Sequence, residues 1–402
     1  MTPASEELLR DAKELLPRAV ALRRRIHQHP ELGLDLPETK RAILEELDGL
    51  DLQIRESART SGLVATLEGG RPGPTLVLRG DMDALPMPED TGLSFGSKVD
   101  GAMHACGHDA HVSMLAGAAR LLEARRDQLA GKVAFMFQPG EEGHHGARVM
   151  LEEGLLDGAD AAFAIHIFPL LPVGMVAGRR GPILAAADEF RIELKGRGGH
   201  ASMPHDTLDP IPAACELVQA LQTFVTRRTN AFDPVIVTVG TIRSGTARNV
   251  IPENAVLGGT IRSVSEESRA LAHEGIDRIA RGIAIAHGLE VDVELLVGYP
   301  VTVNHDAFTD FAFEAARELL GGDRVVVQPN PAMGAEDWSY VLQKIPGCMA
   351  ILGVRPEDAE PAPCHSNRMV LNEKGMATGI ALHSAVALRY LDGQKRPFVS
   401  PA

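Results

Sequence analysis

The stretch His104-Ala105-Cys106-Gly107-His108-Asp109-Ala110-His111 crowds three imidazoles, a thiol and a carboxylate together. A thiolate and an imidazole two residues apart can hold one cation, with Gly107 letting the backbone turn sharply between them. His108 and His111 stand three apart and could share a helix face, while Asp109 is placed to cap or orient that helix. Further along, Gly140-Glu141-Glu142-Gly143 sets two like charges side by side, a pairing best tolerated near cations. Adjacent side chains diverge, so one carboxylate could ligate a metal while its neighbour faces a substrate. His144 and His145 read as exposed loop histidines.

These groups follow apolar runs. Leu76-Val77-Leu78-Arg79 leads into Gly80-Asp81-Met82-Asp83, Phe135-Met136-Phe137 into Gln138 and Glu141-Glu142, and Phe163-Ala164-Ile165 into His166. Met349–Leu352 precedes the loop carrying Cys364-His365. In an open α/β sheet, ligands bind beyond the carboxyl ends of the strands. The candidate ligands are therefore Cys106, His108, Glu142, His166 and His365, with Asp81 or Asp83 as further candidates. A catalytic zinc takes about three protein ligands, so five or more suggest two metals ~3.5–4 Å apart.

The elements that must position these residues form two styles. Short apolar runs at 63–67, 75–78, 133–137 and 161–168 alternate with helical stretches near 109–126 and 145–153. That alternation argues for a mostly parallel sheet covered on both faces. Residues 5–29 carry helical spacing, with Thr2-Pro3 as cap and first-turn proline. After Gly181-Pro182 the pattern becomes strict alternation, as in Phe190, Ile192 and Leu194, with helices near 209–228 and 266–286. Strands 235–239, 255–261 and 291–296 complete an antiparallel sheet. Two of them carry the near-copies Gly240-Thr241-Ile242-Arg243-Ser244 and Gly259-Thr260-Ile261-Arg262-Ser263, which suggests neighbours in one sheet. From about residue 300 the first style returns, with a helix at 306–320, strands at 324–327 and 349–352, and a final helix near 373–391. The expected fold is α/β, a mostly parallel sheet flanked by helices (1–181 and 298–402), interrupted by an inserted α+β domain (182–297).

Composition narrows the function. Among 402 residues, 54 acids against 40 bases give a net charge of −14. Such a surface repels phosphate backbones and anionic lipid, so neither nucleic acid nor a membrane is an expected partner. Four dispersed cysteines make no disulfide framework, and the charged N-terminal stretch lacks the apolar core of a signal peptide. The expected location is cytoplasmic.

Several motifs in order carry a resemblance: Gly80-Asp81-Met82-Asp83-Ala84-Leu85-Pro86, Met103-His104-Ala105-Cys106-Gly107-His108-Asp109, Phe137-Gln138-Pro139-Gly140-Glu141-Glu142-Gly143, Gly198-Gly199-His200-Ala201-Ser202, Asn249-Val250-Ile251-Pro252 and Gly334-Ala335-Glu336-Asp337. Over nearly the whole chain this resembles the M20 metallopeptidase family, in its amidohydrolase branch of hippurate, N-acyl-amino-acid and auxin-conjugate hydrolases. The resemblance implies a zinc-peptidase-like catalytic domain with an inserted lid that also dimerises, giving a homodimer or a dimer of dimers. It implies two divalent ions (zinc, manganese, cobalt or nickel) on Cys106, His108, Glu142, His166 and His365. The Cys106 thiolate stands where other members place a bridging carboxylate. His108 and His166 would serve one metal, and Glu142 and His365 the other. Glu141 matches the general base and His200 a lid histidine that stabilises the oxyanion. Asn249 and Arg262 match residues that hold the substrate carboxylate, a role for which Arg243 is an equal candidate on residue type alone. Asp83 is expected to hydrogen-bond a ligand imidazole, that of His108. His27 and His29 fit a motif read as structural.

Two departures stand out. Gly140 replaces an alanine of many relatives, and Cys364 and Arg368 put a thiol and a cation where a variable loop is expected. Cys364 is read as a buried thiol rather than a sixth ligand. The implied reaction is metal-dependent hydrolysis of the amide of an N-acyl amino acid to a carboxylic acid and a free amino acid. A dipeptidase or carboxypeptidase of the same chemistry, and a non-catalytic metal-stabilised binding protein, are the alternatives.

Overall fold

The computed structural model describes residues 2–357 and 360–392. The chain divides into two compact units: residues 1–183, 303–330 and 337–402 form unit 1, and 184–302 with 331–336 form unit 2. Positions 358–359 and 393–402, which the sequence reading places in the first domain, lie outside the described residues.

Unit 1 is built on an eight-stranded sheet. Its strands are β1 (Gln53–Glu56), β2 (Leu63–Glu68), β3 (Arg71–Asp81), β4 (Ala130–Gln138), β5 (Ala161–Phe168), β6 (Val176–Gly178), β15 (Val325–Val327) and β16 (Gly347–Gly353), in the order β1-β2-β4-β3-β5-β16-β6-β15. The central pairs β4–β3, β3–β5 and β5–β16 are parallel, whereas β1–β2, β2–β4 and β16–β6 are antiparallel. A parallel strand is covered on both faces, which is why Leu76-Val77-Leu78 and Phe135-Met136-Phe137 read as unbroken apolar runs and are fully buried.

Helices α1 (Pro3–His27), α3 (His108–Glu123), α7 (Asp306–Leu320) and α9 (Gly375–Tyr390) share this core. The Thr2 hydroxyl accepts from Ser5 N–H and Pro3 fills the first turn, so α1 starts where its capping signals stand. Buried almost all round, α3 is rich in alanine, and Gly117 lies where a Cβ would press on Ile380 of α9. Helix α2 (Pro37–Leu47) was not expected; its N-cap, Leu36, offers no side-chain hydrogen bond, and only Pro37 marks the start. Two short helices, α4 (Gly146–Glu152) and α8 (Trp338–Leu342), complete the unit.

The chain passes through β7 (Gly181–Leu184) into unit 2 and leaves it through β14 (Thr302–Asn304). Unit 2 holds a four-stranded antiparallel sheet of β8 (Ala186–Lys195), β10 (Val235–Ser244), β12 (Asn254–Ser263) and β13 (Glu290–Tyr299), ordered β10-β12-β8-β13. Alternation along β8 sends Phe190, Ile192 and Leu194 into a core shared with helices α5 (Pro210–Arg228) and α6 (Glu266–His287). The two Gly-Thr-Ile-Arg-Ser copies end the adjacent strands β10 and β12, where Thr241 faces Gly258. A small ribbon pairs β9 (Gly199–His200) with β11 (Val250–Ile251).

One close approach matters for the site. At the start of α4, a Cβ on Gly146 would fall 1.6 Å from the carbonyl oxygen of Pro139, and Gly146 N–H donates to Gly140 O at 3.1 Å. Backbone therefore abuts backbone at the neck of the loop holding Glu141 and Glu142. Gly146→Ala should prise that neck open and cost about 1–3 kcal/mol or more, read as a lower urea midpoint at unchanged slope.

Candidate metal centre

The ends of the unit 1 strands bring the ligand-type side chains together. Cys106 and His108 flank Gly107, whose left-handed φ of 83° lets the chain turn into α3; a Cβ there would meet Ile167 at 2.6 Å. Cys106 Sγ lies 3.4 Å from His166 Nε2, which β5 supplies. His108 Nε2 stands 3.9 Å from both Glu141 Oε2 and Glu142 Oε1. His365 Nε2 is 3.2 Å from Glu142 Oε1. Three triads, Cys106-His108-His166, Cys106-Glu142-His365 and His108-Glu141-Glu142, each keep their donor atoms within 4.8 Å of one another. They share members, so all six residues form one cluster.

Backbone carbonyls set the imidazole tautomers. His108 Nδ1 donates to Asp83 O at 2.9 Å and His166 Nδ1 to Ile167 O at 2.7 Å. A carbonyl can only accept, so each Nδ1 carries a proton and each Nε2 is the nitrogen left to face the cluster. The fit to cations is visible in what remains unsatisfied: His108 Nε2 is buried with no hydrogen-bond partner, and the buried Glu142 Oε1 has only the His365 imidazole at 3.2 Å. Such atoms are costly unless something binds them. Overlapping triads of thiolate, imidazole and carboxylate fit a pair of divalent cations.

Asp83 does two jobs at once. Its carboxylate accepts from Glu141 N–H at 3.0 Å and Glu142 N–H at 2.9 Å, while its own carbonyl orients His108. The bond expected between Asp83 and the His108 imidazole is made by the backbone oxygen at 2.9 Å, while the carboxylate Oδ1 lies 3.5 Å from Nδ1. The carboxylate is occupied by the two glutamate N–H groups.

A buried polar network lies beneath. Arg79 donates to Asp81 at 2.6 Å, to Gln138 at 2.9 Å and to Asp337 at 3.3 Å, and Asp81 accepts from His111 Nδ1 at 2.5 Å. His111 Nε2 accepts from Ile167 N–H at 2.8 Å, so this imidazole is neutral, in keeping with the burial that lowers its pKa. Sequence reasoning left His111 as a helix-face neighbour and missed this bracing role; its only signal was the three-residue spacing from His108. For His108, burial works against charge, but Asp81, Asp83 and Glu142 outweigh it and push its pKa up to about 10. A cation on Nε2 would displace that proton and take over the attraction of the carboxylates.

On the far side of the α3 N-terminus, Asp109 accepts from His27 at 2.7 Å and pairs with Arg23 at 3.1 Å. Burial opposes a charge on His27, yet Asp109 and Glu89 hold it and raise its pKa to about 9. His29 Nδ1 donates to the Arg25 carbonyl at 3.1 Å. His144 is exposed and His145 half-buried against the Tyr340 hydroxyl at 2.9 Å.

The remaining predicted residues belong to unit 2. His200 is exposed on β9, with Nδ1 2.7 Å from the Ser202 hydroxyl; Asn249 is exposed just before β11. Arg262, half-buried on β12, stands opposite Ile236 of β10 and Ala187 of β8, whereas Arg243 near the end of β10 is exposed. In the loop after β16, Cys364 is half-buried in contact with Cys106, and Arg368 is exposed.

A family model described as peptidase family M20/M25/M40 matches residues 77–389. The chain belongs to this family. Among its relatives, "Thermostable carboxypeptidase 1" of Saccharolobus solfataricus is 39% identical over 96% of this chain and 98% of its own. "N-acetyl-L-cysteine deacetylase" of Bacillus subtilis is 40% identical over 83% of this chain and 80% of its own. The crystal structure of the Bacillus subtilis YXEP protein, described as a dinuclear metal binding peptidase from the M20 family, superposes with a TM-score of 0.82 at 34% identity, covering 94% of this chain and 99% of that one. This M20 chain is accordingly a metal-dependent amidohydrolase or peptidase with a mixed α/β catalytic fold. No helix among the described residues is long and apolar enough to cross a membrane.

Asp83→Ala removes the acceptor for two buried N–H groups and should weaken cation binding about 10–100-fold, measured by competition with a chromophoric chelator. For His27 the folded pKa lies above the unfolded one, so its contribution is complete below pH ~6.5 and is lost as pH rises through about 9. Urea denaturation from pH 6 to 10 should show that decline in the unsubstituted protein, and His27→Gln should lack it while being less stable at pH 6.

Proposed function

We propose that this M20 protein hydrolyses the amide bond of N-acyl amino acids, releasing a carboxylic acid and the free amino acid. The observation that carries the reading is the placement of Glu141, only 6% exposed, in one cluster with the unpartnered Nε2 of His108 and the carboxylate of Glu142. A binding protein would not need a second buried carboxylate beside its ligands. Two divalent cations held by Cys106, His108, Glu142, His166 and His365 would polarise the acyl carbonyl and lower the pKa of the attacking water. Zinc suits the thiolate and imidazoles, while manganese, cobalt or nickel suit the mixed nitrogen and oxygen donors.

In this reading Glu141 takes the water's proton and returns it to the leaving amine. The Asp83 carboxylate, by holding the Glu141 and Glu142 N–H groups, keeps the base from drifting. His200 donates to the oxyanion of the tetrahedral species. Arg262, through its planar fork, and Asn249 hold the carboxylate of the amino acid. The proposal includes a homodimer formed through unit 2, supported by the edge strand β10, where Ile242 is 51% exposed and the outer ladder has no partner strand among the described residues. The location proposed is the cytoplasm.

The 39% identity to a carboxypeptidase favours a second reading, in which the same site cleaves a C-terminal residue from a peptide. A panel of N-acetyl and N-benzoyl amino acids and short peptides, assayed with zinc, manganese, cobalt and nickel, separates them. Faster amine release from peptides than from N-acyl amino acids would overturn the primary reading, and no release with any metal would favour a binding protein. Glu141→Gln should retain two equivalents of metal and lose about 10²–10⁴-fold in kcat; near-normal turnover would remove Glu141 from the base role.

A further inference from the structure

The mechanism uses Cys106 and leaves Cys364 idle, although the two thiols touch. The backbone N–H of His365 donates to the Ala105 carbonyl at 2.8 Å, which brings the next residues, Cys364 and Cys106, side by side. Each sulfur lies close enough to perturb the ionisation of the other, and both are free cysteines. Backbones hydrogen-bonded at neighbouring positions fall within the Cα separation a disulfide requires, about 4.4–6.8 Å. Cys106 is 7% exposed, whereas Cys364 is half-buried on the loop after β16 and is the more accessible of the two. The other cysteines have no such partner among the described residues: Cys348 is buried in β16 and Cys215 is exposed on α5 of unit 2.

We infer that Cys106 and Cys364 form a peroxide-responsive dithiol, whose oxidation to a disulfide removes the thiolate of the metal centre. The Cys364 sulfur attacks the O–O bond of a peroxide, forming a sulfenic acid and releasing water or an alcohol. The Cys106 sulfur then attacks the sulfenic sulfur: an S–S bond forms, the S–O bond breaks and a second water leaves. Two thiols lose two hydrogens and one peroxide is reduced. A reducing thiol or phosphine reverses the exchange. A cation already bound to Cys106 occupies the attacking sulfur, so metal loading and oxidation exclude each other. The inference rests on the metal reading given above.

The test uses the full chain, stripped of metal with a chelator and treated with one equivalent of hydrogen peroxide. Peptide mapping should find a Cys106–Cys364 cross-link, cobalt uptake should fall at least about five-fold, and phosphine reduction should restore it. Cobalt loaded before the peroxide should suppress the cross-link. Cys364→Ser should keep its cobalt uptake through the same treatment. A peptide map without the cross-link, or uptake lost equally in Cys364→Ser, overturns the inference; the map needs no variant. If the reduced chain takes up no cobalt at all, the metal reading itself falls and this inference with it.

Discussion

Asp83 ties the site together. Its carboxylate gathers the backbone N–H groups of Glu141 and Glu142, and its carbonyl fixes the proton of His108 on Nδ1. One residue at the end of a central strand thus controls both the loop that carries the carboxylates and the tautomer of an imidazole on another element. The two glutamates depend on it for their aim, because they stand on a loop whose neck is closed by the backbone of Gly146 against Pro139 and Gly140. The ligating chemistry belongs to side chains, but their aim belongs to the backbone.

Behind that arrangement stands a layer of buried charge. Arg79, Asp81, Gln138 and Asp337 satisfy one another where strands β3 and β4 meet, and Asp81 passes the order on to His111. Breaking any one of these partners would leave the others buried and unmatched, which costs far more than the pair contributes. A second layer, Arg23, His27 and Asp109, braces the start of α3 from the α1 side. The site is rigid because its supports are charged, buried and paired.

The ligand types were legible because thiols, imidazoles and carboxylates have few other reasons to cluster after apolar strands. So were the two styles of sheet, since buried parallel strands and half-wet antiparallel ones leave different hydropathy periods. What could not be read was anything carried by main-chain oxygens: the carbonyls of Asp83 and Ile167 have no residue signature, so the pairing of Asp83 with His108 was legible but the atom that makes it was not. Helix α2 escaped because Leu36 provides no capping side chain. The bracing role of His111 and the contact of Cys106 with Cys364 join residues whose relation appears only once the strands are ordered.

The order of the strands has a consequence for the making of the protein. β16, residues Gly347–Gly353, lies between β5 and β6, which are nearly 200 positions earlier, and the loop that follows it delivers His365. A ribosome must therefore emit the chain through Gly353 before the middle of the large sheet can close. Most of unit 2, a continuous run from 184 to 302, can fold while that gap stands open. The nascent chain waits with apolar strand edges uncovered, and the metal centre is completed only once His365 has emerged.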